Sequence, residues 1–89
     1  MKTGTIYITN GITNAALNNE PFFHEVLAAL KRYTRKDWGD LCEEDKRANE
    51  DALLYGNRIL AKYNTSKGPI YIITEWDRSA TTVLFTDEY

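Results

Sequence analysis

Eighty-nine residues, 43% of them apolar and 27% charged, suit one globular domain with a single modest core, and exclude a disordered chain. A net charge of −2 argues against direct binding of nucleic acid, which needs a basic field. One cysteine, Cys42, rules out an internal disulfide, and no stretch approaches the ~20 apolar residues of a membrane span.

The first element in chain order is Thr5 to Thr9, TIYIT, whose β-branched and aromatic residues predict a strand. Asn10-Gly11 is a turn signal, and the Asn-rich run from Ile12 to Asn19 reads as irregular. Asn18 or Asn19 can cap a helix with Pro21 in its first turn. Phe22, Phe23, Val26, Leu27, Leu30 and Tyr33 follow at helical spacing and form one apolar arc, so this helix should run to about Tyr33 or Thr34. Lys36-Asp37-Trp38-Gly39-Asp40-Leu41 then breaks the pattern. Asp40, with Glu43 three residues on, predicts a capped start for a second helix. Acids at Glu43, Glu44 and Asp45 and bases at Arg58 and Lys62 extend that helix from about Leu41 to Tyr63. On this reading Ala48, Ala52 and Gly56 form a small-residue face for close packing, and Leu54 lies outside the buried stripe. Asn64 to Gly68 is a turn. Two strands finish the chain, IYIIT and ATTVLF, joined by the corner Glu75-Trp76-Asp77-Arg78-Ser79. The expected fold is therefore α+β in the order β-α-α-β-β: a three-stranded antiparallel sheet, the first strand pairing with the last hairpin, and two helices on one face.

Two segments gather polar chemistry. In the corner, Glu75, Asp77, Arg78 and Ser79 could line a small-molecule or catalytic pocket together with Asp40; the plainer reading has Asp77 and Ser79 making turn hydrogen bonds and Arg78 pairing with an acid. No His or Cys lies nearby in sequence to activate Ser79. In the inter-helix loop, Trp38 is either a plug at the edge of the core or an exposed aromatic anchor ringed by acid. The acid-rich stretch from Asp37 to Asp51 is either a solvated helix face or a patch for a basic partner. His24 and Cys42 are the only residues of their kinds, so no zinc set is expected, and no phosphate-binding or dinucleotide motif calls for a cofactor. Lys31, Arg32, Arg35 and Lys36 form the only basic run, too short for a DNA-binding stripe. The start MKTGTIYITNG, with one Lys and no long apolar run, does not read as a signal peptide; with the lone thiol it fits the cytoplasm.

Asp37-Trp38-Gly39-Asp40-Leu41, Glu44-Asp45, Arg47-Ala48-Asn49, Arg58-Ile59-Leu60, Ile73-Thr74-Glu75, Asp77-Arg78-Ser79, Thr81-Thr82, Leu84 and Glu88-Tyr89 together resemble a family of small bacterial plasmid-related proteins, some of which carry a restriction-modification label. The chain departs from that pattern at Trp76, where a small residue is expected, and at Thr86, where Pro is expected. The resemblance implies an accessory protein of a plasmid, conjugative element or phage. Accessory proteins in that setting regulate the element or block host defences such as restriction or CRISPR systems. The expectation carried forward is a non-catalytic protein-binding protein whose partner surface is Asp37, Trp38, Asp40, Glu43, Glu44, Glu75, Trp76, Asp77 and Arg78. A host defence effector is the sharpest candidate partner, and a second copy of the chain is a further one.

Overall fold

The computed structural model describes residues 1–89. Its elements are β1 (Thr5–Ile8), α1 (Asn10–Leu17), α2 (Glu20–Thr34), α3 (Glu43–Tyr55), β2 (Ile59–Tyr63), β3 (Ile70–Thr74), β4 (Ala80–Phe85) and a short 3-10 turn (Thr86–Glu88). The chain is α+β, as the sequence predicts, but it carries three helices and a four-stranded mixed sheet in the order β1-β4-β3-β2. β1 does pair with the last hairpin, through β4. The pairing is parallel and not antiparallel as expected, which the long crossover through three helices and two strands permits.

Both departures have local causes. The Asn-rich run is a helix because Thr9 caps it, its hydroxyl accepting from the Ile12 amide at 3.3 Å. Ile12 then enters the core, with Ala15 and Ala16 against it. The long second helix stops at Tyr55 because Gly56 adopts φ +73, the left-handed cap that releases the chain. A Cβ at Gly56 would meet nothing within 4 Å, so the glycine serves the turn and not close packing. Beyond it Ile59, Ala61 and Tyr63 alternate inward along a strand.

α2 starts as expected: Asn19 accepts from the Phe22 amide at 3.0 Å, with Pro21 in the first turn. Its buried stripe is Phe22, Val26, Ala29 and Tyr33. Phe23 and Leu27, expected on the same arc, point outward instead. Under the helices the sheet contributes Ile59, Ala61, Tyr63, Ile70, Ile72 and Val83, while Phe85 stacks on Phe22 at 5.7 Å. Each fully buried side chain of this size contributes about 1.5–3 kcal/mol.

One polar chain crosses this core. The Thr81 hydroxyl donates to the Thr3 carbonyl at 2.7 Å, which uses its only proton. Thr74 must therefore donate to Thr81 at 2.7 Å, and Tyr33 to Thr74 at 2.5 Å. Tyr33, Thr74 and Thr81 are buried, and burial pushes the Tyr33 hydroxyl up to about 12. The chain of hydroxyls fixes α2 over β3 and β4 and ties in the residues before β1.

The outer edge of β2 is closed. The Asn49 side chain from α3 donates to the Leu60 carbonyl at 2.8 Å and accepts from the Leu60 amide at 3.2 Å. Next along the edge, the Asp40 amide donates to the Lys62 carbonyl at 2.7 Å and the Asp40 carboxylate accepts from the Asn64 amide at 2.9 Å. One side-chain amide and one loop thus stand in for a fifth strand.

Candidate functional site

The corner Glu75–Ser79 is a rigid turn, built around two residues. Asp77 holds its own bend: Oδ1 accepts from the Ser79 hydroxyl at 2.6 Å and from the Ser79 amide at 3.1 Å. Those two bonds, the hydroxyl first, pull the Asp77 carboxyl below its usual range. Arg78 sits at φ +61, a conformation that favours glycine, and its side chain explains why it is tolerated. Nη1 donates to the carbonyls of Asn57 at 2.7 Å, Glu75 at 3.1 Å and Trp76 at 3.3 Å, and Nη2 to the carbonyl of Ala52 at 2.9 Å. α3 has no basic residue in its own last turn. Arg78 supplies that cation from the corner, adding a charged donor to the Ala52 carbonyl, which already accepts from the Gly56 and Asn57 amides, and complementing the helix's negative end.

The guanidinium therefore joins the corner to the end of α3, and three large apolar side chains stand out there. Trp76 is 68% exposed, Leu54 78% and Tyr55 76%. Acids flank them at Asp51, Glu75 and Asp77. Glu75 lies 4.0 Å from Arg58, whose guanidinium covers the Tyr89 ring, and Tyr89 meets Tyr71 edge-on at 5.6 Å. The groups that could line a pocket are each engaged elsewhere: Asp77 and Ser79 bond each other, Arg78 turns to backbone, and Glu75 faces Arg58. No groove in the fold is lined by Glu75, Asp77, Arg78 or Ser79. Nor do three His, Cys, Asp or Glu side chains stand close enough together to hold a metal ion.

The inter-helix loop is built differently. Trp38 is 3% exposed; it meets Tyr33 edge-on at 5.7 Å and donates from Nε1 to Glu50 at 3.2 Å. It is the core plug, the first of the two readings open for it, and its place in the expected partner surface is corrected: the exposed indole is Trp76. Asp37 makes a two-point pair with Arg32, at 2.8 and 3.2 Å, and its Oδ1 also accepts from the Gly39 amide at 3.1 Å. The pair lowers the Asp37 carboxyl and raises the Arg32 guanidinium. Gly39, at φ +76, runs so close to β2 that a Cβ would fall 2.1 Å from the Lys62 carbonyl oxygen. Asp40 does not cap α3, which begins at Glu43 behind Cys42, because its carboxylate is held by Asn64. Glu43 and Glu44 are exposed in the first turn of α3, with Lys46 at 3.7 Å from Glu43.

The nine candidate residues therefore divide. Asp37, Trp38, Asp40, Glu43 and Glu44 lie at the start of α3, and Glu75, Trp76, Asp77 and Arg78 at its end. Thirteen residues of helix separate them, about 20 Å. Leu54 and Tyr55 join the second group; Leu54's place off the buried stripe is the signal for it, while Tyr55 falls on the apolar period of a helix expected to run to Tyr63. Comparison with protein-family models, with curated proteins and with solved structures returns no match.

Proposed function

We propose that this is a non-catalytic binding protein that grips a protein partner through Trp76, Leu54 and Tyr55, rimmed by Asp51, Glu75 and Asp77. The observation that carries the reading is the exposed Trp76 on a corner that Arg78 pins to α3 by bonds to main-chain carbonyls. A rigid, solvent-facing Trp loses little conformational freedom on binding and gains a large contact area, the usual character of an interface hot spot. Acids around it favour a basic partner and speed encounter with one. Glu43 and Glu44, at the far end of α3, extend the acidic face and would serve in long-range attraction. Asp37, Trp38 and Asp40 build the loop that places them.

The resemblance to plasmid-related proteins supports an accessory role on a mobile element, and within that role the blocking of a host restriction or CRISPR effector. Regulation of the element itself is the second reading, favoured by the same resemblance. Phage plating on a restricting or CRISPR-immune host tests the first. The protein should raise plating, and folded Trp76→Ala should lose that effect; no protection by the parent chain, or equal protection by Trp76→Ala, ends the reading.

A further inference from the structure

The two edges of the sheet are treated in opposite ways. The β2 edge is sealed by Asn49 and Asp40, whereas β1 has β4 on one side and nothing on the other. Thr5 and Thr9 donate their amides to Ser79 and Val83 of the β4 side. Alternation along the strand then turns the N–H and C=O of Ile6 and Ile8 outward. The strand is short, four residues, but TIYI carries no charge, no Pro and no bulge to turn a partner strand away. Beside it the helices leave an apolar groove of about 410 Å3 whose lining includes Ile8, Ile12, Leu17, Phe23 and Leu27. Ile8 belongs to both features. Ile6, Tyr7, Ile8, Leu17, Phe23 and Leu27 are all exposed, Leu17 by 77%. Ile6, Ile8, Leu17, Phe23 and Leu27 thus make one apolar surface beside the groove, and Tyr7 lies on the opposite face of the same edge.

We propose that the chain forms a two-fold dimer by pairing β1 with β1 of a second copy, antiparallel, into one continuous eight-stranded sheet. The strand is complementary to itself in this arrangement. With the axis at Tyr7, Ile6 faces Ile8 of the second copy and exchanges both main-chain hydrogen bonds with it, and the mirror pair does the same. Ile6 and Ile8 share the helix side of the sheet with Val83 and Thr81, their register partners. Four isoleucines then meet under the helices and continue into the two grooves, while the Tyr7 rings meet across the axis on the other face. A second copy is the occupant the strand itself specifies: under the two-fold axis its outward Ile6 and Ile8 groups pair with their own equivalents, and each copy brings its own apolar groove to the seam.

Sedimentation and light scattering of the full chain test this, with cross-linking to fix the register. The expected mass is twice 10.3 kDa at micromolar concentration. Ile6→Pro deletes no bond inside the monomer, since that amide faces outward, but it should weaken the dimer about tenfold or more. Ile8→Lys should do the same by charging the seam. Tyr7→Cys in a Cys42→Ser chain should form a disulfide-linked dimer, because directly opposed strand positions fall within disulfide reach, whereas Asn64→Cys should not. A monomer at all concentrations overturns the proposal. So does a dimer that survives Ile6→Pro and Ile8→Lys with the fold intact, and so does β1 pairing only with added peptides of other sequence. None of these outcomes bears on Trp76, which the seam does not use.

Discussion

Replacing Arg78 separates the two energies stored at the corner. Arg78→Ala removes four donor contacts while keeping a side chain at φ +61. The contacts to Glu75 and Trp76 are local, and water can take their place. Those to Ala52 and Asn57 bridge to another element, and a bond from a charged donor contributes about 1.5 kcal/mol or more. Discounted for the half-exposed guanidinium, and with about 0.5 kcal/mol for the helix end, the loss is about 2–3 kcal/mol. A domain of this size has about 4–13 kcal/mol in total, so the melting temperature should fall by about 10–20 °C. Arg78→Gly loses the same bonds but relieves the left-handed backbone, and should be milder by about 1 kcal/mol. Urea titration followed by far-ultraviolet circular dichroism reads both. Arg78→Ala within 0.5 kcal/mol of the parent, or Arg78→Gly less stable than Arg78→Ala, would show that the corner is not held as described.

Other predictions follow from the core and the sealed edge. The Tyr33 hydroxyl has its folded pKa raised from the ordinary 10 to about 12, so its contribution is complete below pH 10 and fades as pH rises to 12; Tyr33→Phe should flatten that loss in alkaline melting curves while costing about 1–3 kcal/mol at pH 7, because Thr74 loses its donor. Gly39→Ala should cost more than 3 kcal/mol, since its Cβ would strike the Lys62 carbonyl, whereas Gly56→Ala should cost only about 1 kcal/mol from φ alone; equal losses in urea would refute the distinction. Asn49→Asp keeps the acceptor for the Leu60 amide but sets a carboxylate against the Leu60 carbonyl; it should destabilise more than Asn49→Ala at pH 7, and the gap should narrow in acid.

Much of the scaffold could be read from side-chain patterning. TIYIT, the Asn19 cap with Pro21, and the final hairpin are each marked by local chemistry that tertiary context leaves unchanged. The region from Ala48 to Tyr63 misleads because two periods coincide. Ala52, Tyr55, Ile59 and Tyr63 fit a helix, while Ile59, Ala61 and Tyr63 fit a strand, and the short apolar run alone cannot decide. Gly56-Asn57 was the deciding punctuation, a cap in form. α1 was masked by three asparagines, although Thr9 and the Ile12, Ala15, Ala16 spacing signal a helix. At the site, the sequence offers Trp38 as a core plug or an exposed anchor, and the contacts with Tyr33 and Glu50 decide for the plug. The role of Arg78 was beyond sequence reading, because it works through carbonyls at and just past the end of a helix more than twenty residues earlier, which no spacing announces.

The most direct test places a photo-cross-linking amino acid at Trp76 and, separately, at Leu54 in the expressed chain, inside a bacterium that carries restriction and CRISPR systems. Lys67, exposed in the turn at the other end of the hairpin, is the control position. Irradiation should join positions 76 and 54 to one and the same host protein, and leave 67 unlinked. Adducts no different from those at 67, from a chain that folds as the parent does, would contradict a partner surface at this corner.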